Sequence, residues 1–83
     1  MYVWKVLRQE ASGATHYVGD EHYPGSLLAR RWVMNRLPSG AVAENWIKVG
    51  EDNWSMRVEE YGSVEVTYIV ERWTTSSAES SAT

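Results

Sequence analysis

Cysteine is absent from the 83 residues, which excludes disulfides, thiolate metal sites, CxxC redox chemistry and cysteine nucleophiles. Small secreted domains commonly depend on disulfides, so a reducing compartment, the cytoplasm, is the expected setting. Phenylalanine is also absent, and proline occurs only twice. No apolar run approaches the ~18 residues of a membrane-spanning helix. Residues 1–5 have neither the basic start nor the apolar stretch of a signal peptide. Basic residues are outnumbered, eight Lys and Arg against eleven Asp and Glu, giving a net charge of −3. A field of that sign mildly repels phosphate backbones.

Aromatic bulk takes the place of what is missing. Five Trp and five Tyr let a short chain bury area quickly, since each such ring removes roughly 150–250 Å² from water. The length fits one domain. Residues 74–83 hold only Ser, Thr, Ala and one Glu, with nothing large to bury. The expectation is a compact domain over residues 1–73 followed by a disordered tail, 74–83.

Residues 64–73 alternate, with Val64, Val66, Tyr68 and Val70 on one parity and Glu65, Thr67, Ile69 and Glu71 on the other. Residues 54–60 do the same. A period of two marks half-buried strands. Residues 46–49 form a further candidate strand, and residues 2–8 and 15–18 a pair joined by a turn at residues 11–13. Residues 26–37 are rich in helix formers and are bracketed by Pro24 and Pro38, with Ser26 as the expected N-cap. Leu28, Ala29, Trp32 and Val33 share the face expected to be buried. The predicted order is β-β-α-β-β-β, an α+β fold with a single antiparallel sheet of about five strands and one helix packed on one face.

Register follows from parity, because a slip of one residue turns a strand's core side chains into water. Met56 and Val58 must share a face with Val66 and Tyr68, which requires the odd loop at residues 61–63. Val58 then lies opposite Val66, Met56 opposite Tyr68 and Trp54 opposite Val70. If Ile47 and Val49 join that face, the preceding loop is even, residues 50–53, with Val49 opposite Trp54 and Ile47 opposite Met56. The outer face then carries Trp46, Arg57, Glu59, Glu65, Ile69, Glu71 and Trp73; the alternative parity puts Trp46 in the core and Ile47 outside. Trp and Arg dominate interaction hot spots, so these seven residues are the candidate partner-binding site.

No catalytic constellation is expected. His16, Asp20, Glu21 and His22 cluster in sequence but match no HExxH or EF-hand spacing, and no metal or cofactor is assigned. No G-x-S-x-G elbow is present, and the six glycines are scattered singly, unlike a phosphate loop. Two functions remain. The first is a non-enzymatic protein-binding module, including an inhibitor of a basic or nucleic-acid-binding protein, using the acidic, Trp-bearing sheet; a homodimer is the related expectation. The alternative is a nucleic-acid-binding or regulatory protein using Arg30, Arg31 and Arg36 of the helix. In size and charge the chain is similar to the small accessory proteins that phages and mobile elements encode to block host proteins, though no motif carries that similarity.

Overall fold

The computed structural model describes residues 2–19, 22–62 and 64–74. The chain forms β1 (Tyr2–Gln9), β2 (Thr15–Tyr17), α1 (Ser26–Arg36), β3 (Val42–Ala43), β4 (Ile47–Lys48), β5 (Asn53–Glu60) and β6 (Val64–Thr74). All six strands belong to one antiparallel sheet, in the order β2-β1-β6-β5-β3, with β4 also paired to β5. The fold is α+β, with α1 laid across one face. β6 runs to Thr74, one residue into the segment assigned to the tail from composition; residues 75–83 lie outside the described residues. Among the described residues no helix is long and apolar enough to cross a membrane.

The β5–β6 hairpin has the register that parity requires: Val58 opposite Val66, Met56 opposite Tyr68 and Trp54 opposite Val70. Its turn depends on left-handed backbone at Tyr61 (φ 48°) and Gly62 (φ 88°), a conformation open to glycine at no steric cost. β1 lies on the other side of β6, with Val6 opposite Val70 and Arg8 opposite Tyr68. Val6, Met56, Val58, Val66, Tyr68 and Val70 thereby meet on one face, where Ala29 and Val33 of α1 complete the buried core. Each such aliphatic side chain contributes about 1.5–3 kcal/mol on full burial.

The helix starts differently from its expected cap. Gly25, extended at φ −150° and ψ 156°, is the N-cap and no side chain caps the first turn; Ser26 is already helical. The buried stripe is the i, i+4 pair Ala29 and Val33, while Leu28 points outward and is exposed. A small residue at the crossing allows close approach to the sheet. The larger Trp32 packs at the side, beside the Tyr23 ring at 6.2 Å and over Gly19. A side chain on Gly19 would begin 3.0 Å from the Trp32 ring.

The register of β4 corrects the parity argument. Ile47 lies opposite Ser55 and Lys48 opposite Trp54, one residue away from the expected pairing. The Val49 amide donates to the Asn53 carbonyl at 2.8 Å, which closes a three-residue loop in place of the expected four. β3 continues along the same edge of β5 in a different phase, with Val42 opposite Glu59 and Ala43 opposite Val58. Three residues, 44–46, therefore span two of β5, the extra residue of a β-bulge. The consequence is an exchange of faces. Trp46 packs against the core and Ile47 is 58% exposed. The physical reason is area: an indole removes more surface from water than an isoleucine, and the bulge lets the edge satisfy Trp46 and Ala43 together.

One end of the core is polar. Glu60, only 3% exposed, accepts from both terminal nitrogens of Arg8, to Oε1 at 3.0 Å and to Oε2 at 3.1 Å. Arg8 also donates to the Tyr68 hydroxyl at 2.8 Å and, through Nε, to Glu10 at 2.7 Å. Glu60 first and Glu10 second raise the Arg8 pKa, and Arg8 lowers that of Glu10. Burial pushes the Tyr68 phenol above its ordinary 10.0.

Candidate functional site: the open sheet face

Alternation along each strand sends one parity to α1 and the other to the opposite face of the sheet. Strand pairing arranges that second parity in rows. The central row crosses the whole sheet: Tyr17 of β2, Leu7 of β1, Ile69 of β6, Ser55 of β5 and Ile47 of β4, each opposite the next. On one side lie Lys5, Glu71 and Asn53, and beyond them Val3 and Trp73. On the other lie Thr15, Gln9, Thr67 and Arg57, and beyond them Glu65, Glu59 and Val42. No described element covers these rows. Tyr17 is 51% exposed and Trp73 41%. A shallow groove of about 380 Å³ runs over Gln9, Thr67, Ile69, Ser55 and Val49.

Two corners of the face differ in chemistry. At one, the Tyr17 and Trp73 rings meet edge to face at 6.0 Å. The Lys5 ammonium lies 4.5 Å from the Trp73 centroid and 5.3 Å from that of Tyr17. The Trp73 indole N–H donates to Glu71 at 3.0 Å. At the diagonal corner, Arg57 donates to Glu65 at 2.6 Å, and Glu44 and Glu59 line the same recess. Glu65 first and Glu44 second raise the Arg57 pKa. Three carboxylates around one guanidinium leave this corner net negative. Ion pairs of this exposed kind add little stability.

Of the seven residues expected on this face, Arg57, Glu59, Glu65, Ile69, Glu71 and Trp73 share it. Trp46 does not: it lies under the opposite face, and its indole nitrogen has no hydrogen-bond partner among the described residues. Tyr17, Lys5 and Leu7 were missed. Their signal was present, because β1 is apolar on both parities, Trp4 and Val6 on one and Val3 and Leu7 on the other. A strand of that kind needs contacts on both faces.

The helix arginines are engaged differently. Arg30 stacks 3.9 Å from the Trp54 ring and Arg36 4.6 Å from the Trp32 ring, each covering an aromatic edge of the core, while Arg31 is exposed. They do not form one basic stripe. His16 lies 3.8 Å from Glu10, Asp20 and Glu21 fall outside the described residues, and among the described residues no three potential ligands group around a metal position. No family model, no curated protein and no solved structure matches the chain.

Proposed function

We propose that this chain is a non-enzymatic protein-binding module that docks a partner through the open face of its sheet. The observation that supports the reading is the uncovered central row Tyr17–Leu7–Ile69–Ser55–Ile47, flanked by Trp73 and by a net negative corner. Apolar side chains left on an uncovered sheet face, with Tyr17, Ile47 and Trp73 exposed, are a feature of interaction sites. The excess of Glu44, Glu59, Glu65 and Glu71 over Lys5 and Arg57 favours a partner with a basic surface. A partner that uses such a surface to hold nucleic acid would be inhibited by occupation, and the absence of cysteine suits action in the cytoplasm.

Affinity purification from the native host with cross-linking and mass spectrometry tests this. Wild type, Ile69→Asp and Arg31→Glu are compared, each verified as folded by circular dichroism. The expected result is a protein captured by wild type and Arg31→Glu, cross-linked to the sheet face, and lost with Ile69→Asp. Capture that follows Arg31 instead, with salt-sensitive retention on DNA or RNA, would replace this reading with the nucleic-acid one.

A further inference from the structure

We propose that a second copy of this chain is the resident occupant of the open face, sheet against sheet, and that a foreign partner must displace it. The inference rests on the reading of this face as a binding surface and names what fills it first. A sheet with one helical layer leaves its other face without an apolar layer, and two such faces stacked at ~10 Å make a sandwich.

The area is sufficient for a reversible contact. Five strands ~4.8 Å apart and five rows ~6.7 Å apart outline on the order of 600 Å² per protomer. Two copies thus reach the lower bound, ~1,200 Å² in total, of specific interfaces.

Charge selects the arrangement. A two-fold axis across the strands, along the central row, places each of Tyr17, Leu7, Ile69 and Ile47 on its own copy. Glu71, one row above, then lies over the other copy's Thr67, with that copy's Arg57 one strand away, since Arg57 and Thr67 are register partners. Trp73 falls over the other copy's Glu65, and Lys5 over its Gln9. Neither Glu71 nor Glu65 meets a carboxylate of the other copy in this arrangement. An axis along β6 would instead stack Glu71 on Glu71 and Glu65 on Glu65, which like-charge repulsion disfavours. The face is therefore self-complementary in one two-fold orientation, as an isologous interface requires.

The test is sedimentation velocity from low micromolar to submillimolar protein, on wild type and on variants checked by circular dichroism. Wild type is expected to pass from monomer to dimer. Ile69→Asp, which brings two carboxylates together on the axis, should remain monomeric throughout. Arg57→Glu and Glu71→Arg should each weaken the dimer at least tenfold, and the double swap Arg57→Glu/Glu71→Arg should restore it. A wild type monomeric at the highest concentration, a dimer unaffected by Ile69→Asp, or a swap that fails to restore association overturns the proposal. If Ile69→Asp does not fold, the swap alone decides. Monomeric wild type whose face variants still lose a foreign protein would sink the dimer and leave the binding function. A dimer as described with capture insensitive to the face would do the reverse.

Discussion

Replacing Glu60 with leucine removes a carboxylate that is almost wholly out of solvent and that holds two nitrogens of Arg8. Breaking a buried ion pair from one side costs about 3–5 kcal/mol, because the remaining charge stays desolvated. Arg8 is not fully buried, its side chain being 23% exposed, and it keeps Glu10 at 2.7 Å. The expected loss is therefore lower, about 2–3 kcal/mol. In a domain of this size that corresponds to a fall of roughly 10–20 °C in melting temperature. Removing both charges, Arg8→Met with Glu60→Leu, leaves the Tyr68 hydroxyl without its partners, a cost of about 1 kcal/mol, and returns the partly exposed Glu10 carboxylate to solvent. The assay is urea unfolding of wild type, both single variants and the double variant, followed by tryptophan fluorescence. The cycle should show a coupling of about 1.5 kcal/mol or more. A Glu60→Leu variant as stable as wild type, or single losses that simply add, would refute the account of this end of the core.

The exchange of faces at the β4 edge predicts that Trp46→Ala lowers stability by about 2–4 kcal/mol while Ile47→Ser stays within about 0.5 kcal/mol; denaturant unfolding showing the opposite order would restore the register expected from parity. Tyr68 should ionise above its ordinary 10.0, so its contribution is intact below the unfolded-state value and is lost as pH rises from there through the raised folded value. Ultraviolet titration of tyrosinate should show a late fraction that disappears in Tyr68→Phe, and its persistence would assign the shift elsewhere. Gly19→Ala should cost about 1–3 kcal/mol, since φ is +81° and the new carbon meets the Trp32 ring. Gly25→Ala, at an extended and open position, should cost less, no more than about 1 kcal/mol by thermal melting, the preference for glycine over alanine at an N-cap.

Local alternation made most of the fold legible. In residues 54–60 and 64–73 one parity is mainly apolar and the other mainly polar, so burial leaves one workable register, and the hairpin follows with its odd turn. The same logic failed at residues 46–49, where Trp46 and Ile47 are neighbours of opposite parity and both apolar. There the pattern carries no preference, and the bulge at residues 44–46, which depends on β3 pairing further along β5, settles which side chain enters the core. The helix was legible from its boundaries, not from a stripe, since only Ala29 and Val33 became fully buried.

Composition and alternation determined the class of this protein: one antiparallel sheet, one helix, and six of the seven expected residues on a common outer face. Tertiary structure alone decided the rest. Nothing local specifies that β1 pairs with β6, yet that pairing puts Tyr17, Lys5 and Leu7 beside Ile69 and Trp73 and turns a narrow strip into a face five strands wide. It also brings Arg8 to Glu60, 52 residues apart in sequence, so that a carboxylate at the end of β5 becomes the buried anchor of one end of the core. Both depend on contacts between distant segments, whose free energy is gained only after the chain between them has been ordered, and no short-range pattern reports them.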